Sequence, residues 1–249
     1  MSDRLTLDVY PTDAEAFDAA AALAAEHLRA AATTHSATVA LAGGRGGRGV
    51  MLALAARDDV PWDRIEWCFG DERCVPARDS HSNAKLAQES LLGPRRVPAE
   101  RIHVPPVELE DPERIAAAYA DTLRGLLGPS LAFDLILLGM GADGHVASLT
   151  PGSAALSATT PVAAVRAEEL NTEPRVARIT LTPTVLRAAR HVIVTVTGAE
   201  KAAALATALA DEGDVARCPA RLVRPSATVS WVADRAAVAA LLKSAHPAQ

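Results

Sequence analysis

Cysteine is scarce in this chain. Cys68, Cys74 and Cys218 are odd in number and form no Cys-x-x-Cys pair, which argues against a disulfide framework or a structural zinc site and fits a reducing cytoplasm. Long apolar runs are missing too. No uninterrupted stretch approaches the ~18 residues of a membrane span, and the start, MSDRLTLDVYPTD, lacks the apolar centre of a signal peptide. Nor is there an excess of positive charge. The 25 Lys and Arg against 30 Asp and Glu leave a net charge of -5, which speaks against nucleic acid or an anionic membrane as partner. Local basic sites for a small anion are still compatible with that balance. No internal repeat, low-complexity tract or linker breaks the chain, so residues 1–249 read as one domain. What is present, 49% hydrophobic and 22% charged residues, is the makeup of a folded soluble protein with an ample core.

The chain is organised around residues 133–153, FDLILLGMGADGHVASLTPGS. Leu135 to Leu138 form an unbroken apolar run, the pattern of a strand buried on both faces of a parallel sheet. The run breaks into Gly139, Gly141 and Gly144 around Asp143 and then delivers His145. Such a loop can take φ > 0 and admit a ligand to the backbone. In open α/β sheets it would lie where ligands bind, outside the carboxyl ends of the strands. A histidine there suits proton transfer near neutrality. A tight strand-to-helix turn carrying an incidental histidine reads equally well from spacing alone.

The rest of the chain alternates strands and helices. Arg4 to Tyr10 turns Leu5, Leu7 and Val9 inward as a strand. Thr12 or Asp13 caps an alanine-rich helix to Ala32, on which His27 reads as solvated. Thr38 to Ala42 is a short buried strand. It empties into Gly43-Gly44-Arg45-Gly46-Gly47-Arg48-Gly49, with a helix from Val50 to about Arg57. Strand, glycine loop and helix N-terminus make an anion site. The same glycines satisfy G-x-G-x-x-G, but no acid ends the next strand at the spacing a dinucleotide needs, so a phosphate cradle is the better reading. Ile65 to Gly70 is a strand ending in Asp71-Glu72-Arg73, either a solvated turn or charges presented to the site. Cys74 beside Arg73 reads as structural. Ser82 caps a helix to about Leu92, His103 falls in an irregular Pro-rich stretch, and Asp111 caps a helix over 112–127. After Ser153 the pattern is irregular until a strand over 176–181. A short helix follows from Thr182-Pro183, then a strand over 191–197 and a helix from Gly198 to about Ala210. Lys201 in that helix's first turn opposes the helix dipole, which suggests an anion nearby. A last strand covers 228–232 and a closing helix 236–242.

Four stretches, Gly-Asp-Glu-Arg-Cys-Val-Pro at 70–76, Gly-Met-Gly-Ala-Asp-Gly-His-Val-Ala-Ser-Leu at 139–149, Arg-Ile-Thr-Leu-Thr at 178–182 and Gly-Ala-Glu-Lys-Ala at 198–202, resemble the 6-phosphogluconolactonase family in sequence and order. With Pro219-Ala220 and the strand near Trp231 the resemblance spans nearly the whole chain. It implies a Rossmann-like three-layer α/β sandwich with a mainly parallel central sheet, shared with glucosamine-6-phosphate deaminase and ribose-5-phosphate isomerase. It also implies hydrolysis of 6-phospho-D-glucono-1,5-lactone in the oxidative pentose phosphate pathway, in the cytoplasm, with no metal and no organic cofactor. In that reading His145 is the base, Asp143 orients it, and Arg73 faces the oxyanion or the phosphate. Gly43, Gly44, Arg45, Asp71, Arg178 and Lys201 would hold the sugar phosphate. The expected partner is a small phosphorylated lactone, with no nucleic acid and no membrane, and a monomer is the favoured state.

Two departures from the family pattern stand out. Its Gly-Gly loop usually carries a Ser or Thr, where this chain has Gly46 and Gly47. A lysine that precedes the Arg-x-Thr-Leu-Thr segment in the family falls at Glu173 in Asn171-Thr172-Glu173-Pro174-Arg175-Val176, so Arg175 is expected to replace it at the phosphate. Two other functions compete. An aminosugar-phosphate deaminase or isomerase would carry a glutamate where this chain has Thr150. A sugar-phosphate-binding module without turnover would keep the pocket but not the chemistry.

Overall fold

Residues that read as unbroken apolar runs form the centre of the molecule. The computed structural model describes residues 5–170, 173–224 and 228–245; Arg4, Asn171 and Thr172, part of the expectations above, lie outside them. Strands β1 (Leu5–Tyr10), β2 (Ala37–Leu41), β3 (Ile65–Phe69), β5 (Leu135–Gly139), β8 (His191–Val196) and β9 (Val229–Asp234) make one parallel sheet in the order β1-β9-β8-β5-β2-β3. Successive side chains of a strand point to opposite faces. Leu135 and Leu137 therefore enter one core with Val39, Leu41 and Ile193, while Ile136 and Leu138 enter a second core with Ala40, Val192 and Val194. Helices α1 (Asp13–Ala32), α2 (Gly44–Ala55) and α3 (Asn83–Ala87) pack on the first face. Helices α4 (Pro112–Leu127), α5 (Pro183–Ala188), α6 (Ala202–Leu209) and α7 (Ala239–Ala245) belong to the second. The result is the three-layer α/β sandwich with a mainly parallel central sheet.

The helix starts follow their caps. Thr12 accepts from Glu15 N while the Glu15 carboxylate accepts from Thr12 N, a reciprocal capping box. Ser82 and Asp111 accept from the backbone N–H three residues on, and Pro183 occupies the first turn of α5.

Five features depart from the sequence reading. The segment Asp71–Arg73 is a strand, β4, in a second sheet of order β4-β7-β6 that pairs antiparallel with β7 (Arg178–Leu181). Its third member, β6 (Val162–Val165, VAAV), was not anticipated, because its two alanines give a weak strand signal. Val9 points outward, 45% exposed, since β1 is an edge strand paired only with β9. His27 is half-buried and its ring stacks on His191 at 3.8 Å, so burial first, and then His191, pushes its pKa down.

The glycine run is the most informative departure. The helix begins at Gly44, with Gly43 as its cap, instead of at Val50. A Cβ on Gly47 would lie 2.1 Å from the Ala42 carbonyl oxygen, and one on Gly49 would lie 2.4 Å from the Phe17 ring. These glycines let α2 sit tight on β2 and α1. The joint between the sheets is Gly70, whose N–H donates to Leu41 O at 2.9 Å in the large sheet while its carbonyl accepts from Leu181 N at 2.8 Å in the small one.

Gly47→Ala tests the close approach. Alanine is the better helix former by roughly 0.5–1 kcal/mol, yet overpacking against a fixed backbone carbonyl should cost about 1–3 kcal/mol. Thermal unfolding should therefore show a lowered Tm; a raised Tm would mean that α2 shifts freely.

Candidate active site

From β2 the chain turns through α2 toward β3, while from β5 it continues toward β8 on the opposite side. The two strands are neighbours, so their carboxyl ends diverge, and that divergence opens a crevice. A cleft of about 240 Å³ lies there, lined by residues following β2, β3, β5 and β8 and by the small sheet. His145, Arg73, Asp71, Arg178, Gly43, Gly44, Arg45 and Lys201 all line it.

The loop after β5 shows how the histidine is fixed. Gly141 N donates to His145 O at 2.9 Å, and Gly144 N donates to Gly141 O at 3.0 Å. Gly144 has φ +83°, where a side chain is strained, and Ala220 N fastens its carbonyl at 2.8 Å. A Cβ at Gly141 would sit 2.0 Å from His145 Nδ1 and 2.5 Å from Asp143 Oδ1, so this glycine makes room for the pair. The imidazole Nδ1 and Asp143 Oδ1 are 2.6 Å apart, and His145 N–H donates to the same oxygen at 3.1 Å. Burial pushes the Asp143 carboxyl up, but its bonds and attraction to His145 outweigh that and hold it below the ordinary range. An ionised Asp143 can only accept, so Nδ1 carries the proton and Nε2 keeps its lone pair. In the neutral imidazole this tautomer turns Nε2 outward as the basic nitrogen, the orientation a general base needs.

The second wall is the Asp71–Arg73 strand. Asp71 is 6% exposed and accepts from Ser148 Oγ at 2.6 Å and from Asn83 Nδ2 at 3.0 Å. Glu72, 1% exposed, accepts from the backbone of Arg73, Asn83 and Ala84 at 2.7 Å each; burial nevertheless keeps its pKa raised. It anchors β4 to the start of α3. Arg73 and Arg178 are cross-strand partners. Each has a buried Nε with no hydrogen-bond partner among the described residues. Burial lowers the Arg178 pKa, Asp71 opposes this, and Arg73 adds to it. Like charges set opposite each other on a sheet are unfavourable, and an anion between them would relieve the repulsion.

The third wall carries α2 and the β8–α6 loop. Gly43 caps α2 with no side-chain bond and the first turn has no acid, so the first N–H groups are free for an anion. Lys201 precedes α6. Arg45, expected at the phosphate, instead pairs with Glu200 at 2.9 Å and donates to Thr197 O at 3.2 Å.

Arg175 is a correction. It does not line the cleft; it is mostly exposed and pairs with Glu173 at 3.6 Å on the same turn. Three residues before Arg178, it lies on the approach to β7, whereas Arg178 itself supplies a cation at the cleft. Cys74 is no nucleophile, because burial pushes its thiol up to about 11. No cluster of three or more His, Cys, Asp and Glu able to hold a metal occurs among the described residues. Asn83, Ser148, Thr195, Thr197 and Glu200 escaped the sequence reading. Only Glu200, beside Lys201, and the threonines closing an apolar strand left a usable signal.

A family model described as glucosamine-6-phosphate isomerases/6-phosphogluconolactonase matches residues 11–231. The chain is 37% identical over 241 residues to the 6-phosphogluconolactonase of Streptomyces coelicolor, covering 92% of this chain and 91% of that one. It is 36% identical over 213 residues to the 6-phosphogluconolactonase of a Synechocystis species, covering 84% and 86%. Among solved structures it resembles 6-phosphogluconolactonase from Trypanosoma cruzi with a TM-score of 0.84 at 29% identity, covering 95% of this chain and 97% of that one.

Asp143 also makes a pH-dependent contribution to stability. Its folded pKa is depressed, so the stabilisation is present above the unfolded carboxylate pKa and is lost as pH falls through the folded one. Asp143→Asn should be less stable than the parent near neutrality, with the gap closing in acid. A gap independent of pH would show that its bond to His145 does not depend on charge.

Proposed function

Because the chain belongs to the glucosamine-6-phosphate isomerase/6-phosphogluconolactonase family, we infer that it hydrolyses 6-phospho-D-glucono-1,5-lactone to 6-phosphogluconate, a step of the oxidative pentose phosphate pathway. The observation that carries this reading is the Asp143–His145 dyad, 2.6 Å apart, in a cleft also lined by Arg45, Arg73, Arg178 and Lys201. The names of the relatives at 37% and 36% identity support the lactonase branch. Against the deaminase branch stands Thr150, buried and outside the cleft lining, where a deaminase would need a glutamate.

The chemistry follows from the walls. The phosphate sits against the free N–H groups of α2 at Gly43 and Gly44 and against Lys201. The lactone carbonyl C1 then lies toward His145 and the two arginines. His145 Nε2 takes a proton from a water as its oxygen bonds to C1. Negative charge moves to the carbonyl oxygen, where the fixed cations Arg73 and Arg178 stabilise it. The tetrahedral centre collapses, the bond from C1 to the ring oxygen breaks, and His145 returns the proton to that oxygen. The products are the C5 hydroxyl and a carboxylic acid, which releases its proton to solvent to become the carboxylate, and the imidazole is neutral again. Asp143 holds the transient imidazolium. Both sheets contribute to this one cleft, so the chain works as one unit. A reducing, cytoplasmic setting is supported by three free cysteines, two of them buried.

A pH-stat assay on freshly made lactone, with spontaneous hydrolysis subtracted, tests the reading. His145→Asn should fold normally and lose roughly 10²–10⁴ in kcat. Near-parental turnover by a folded His145→Asn protein would remove the base assignment. Glucosamine 6-phosphate should release no ammonia; release matching the lactone rate would put the chain in the other branch.

A further inference from the structure

Arg45 and Glu200 come from separate loops that both face the cleft. Arg45 is in the first turn of α2, after β2, and Glu200 follows β8; in the sheet β5 lies between these strands. Their 2.9 Å ion pair therefore spans the carboxyl end of β5, the strand that leads to His145. A second bond, from Arg45 Nη2 to Thr197 O at 3.2 Å, ties the same guanidinium to the β8 loop. The carboxylate is folded back over its own loop, since a Cβ on Gly198 would meet Glu200 Oε2 at 2.4 Å. Gly198 is held in turn at φ +100° by donating to both Asp234 oxygens at 3.1 Å.

This arrangement poses an electrostatic problem. Lys201 and the N-terminus of α2 line the same end of the cleft and favour an anion. Glu200 is already an anion there. Its carboxyl is held below the ordinary range, first by its own backbone N–H and then, against the opposing effect of desolvation, by Arg45 and Lys201. A dianionic ligand arriving at this end meets a like charge, and the cation it would use is engaged. Gly46 and Gly47 supply no hydroxyl, so Arg45 is the side chain of that turn able to reach a phosphate. Exposed ion pairs are weak and exchange readily, whereas a phosphate offers a guanidinium more charge and two parallel acceptors.

We propose that Glu200 is an internal counter-anion that holds Arg45 in the free protein and yields it to the phosphate of the incoming ligand, so that it sets how tightly phosphorylated ligands bind. This rests on the phosphate seat assigned above. Glu200 lowers affinity, and Arg45 is a phosphate contact only after the exchange.

Equilibrium binding of 6-phosphogluconate by calorimetry, which needs no turnover, tests the exchange separately from the reaction. Glu200→Gln should bind about threefold to tenfold more tightly than the parent, the scale of one removed charge at an exposed site. Arg45→Ala should bind more weakly than the parent. In the Arg45→Ala background, Glu200→Gln should recover only a minor part of its gain, because no cation is released. Unchanged or weaker binding by Glu200→Gln would overturn the proposal. A full gain without Arg45 would also overturn it, leaving simple repulsion. If the parent bound no 6-phosphogluconate while hydrolysing an unphosphorylated lactone, the phosphate seat itself would be wrong.

Discussion

The chain changes sheets at Gly70, and the Asp71 carboxylate that follows has to be gripped from both sides for the cleft to keep its shape. Ser148, from the histidine loop, donates to one oxygen, and Asn83, from the start of α3, donates to the other. Burying a carboxylate is costly unless donors satisfy it, so the three segments stand or fall together. Glu72 repeats the arrangement one residue on, facing away from the cleft and accepting from α3 backbone. Adjacent residues of a strand point to opposite sides. One acid can therefore serve the site and the next can fasten the strand.

That alternation explains what could be read from the amino-acid sequence and what could not. The parallel sheet was legible because strands buried on both faces are written as continuous apolar runs, as in Leu135 to Leu138. Helix starts were legible from Thr12, Ser82, Asp111 and Pro183. Asp71-Glu72-Arg73 left two readings open, a solvated turn or charges presented to the site, because charge at a strand end ordinarily means solvent. Here two of the three residues are buried, and only contacts distant in sequence supply their partners. His145 and Asp143 were legible as a local pair two residues apart. Ser148 and Asn83 were not, since a serine or asparagine gains its role from a neighbour 77 or 12 positions away. Arg175 misled for the converse reason. Its place two residues after Glu173, where the family has a lysine, made it plausible, but the chain before β7 sends it to solvent beside Glu173.

Glycine does two different jobs on the two sides of the cleft, and the same letter conceals this. At Gly144 the backbone takes φ +83°, so the residue supplies a conformation. At Gly47 and Gly141 φ is unexceptional and the missing Cβ is what matters, against the Ala42 carbonyl in one case and the His145 ring in the other. A run such as Gly43 to Gly49 suggests a mobile loop when conformational freedom is the only property considered. Close packing converts most of it into the first two turns of α2.

The cleft also concentrates charge that the fold would not choose for itself. Arg73 and Arg178 face each other across two strands, one of them nearly buried, with Asp71 the only acid beside them that lines the cleft. Such a pair weakens the small sheet in the absence of a ligand. At the opposite end, Arg45 is neutralised by Glu200. The two ends therefore differ in kind. Arg73 and Arg178 donate to the carbonyls of His81 and Pro174, yet each keeps a buried Nε without a partner among the described residues; in the proposed reaction that spare capacity suits charge that develops at the carbonyl oxygen. The other end carries its own anion, and the exchange proposed above would suit a group whose charge is the same before and after. On the proposed reading, a ligand that satisfies both would have a permanent anion at one end and a carbonyl at the other, with His145 as the base beside the carbonyl.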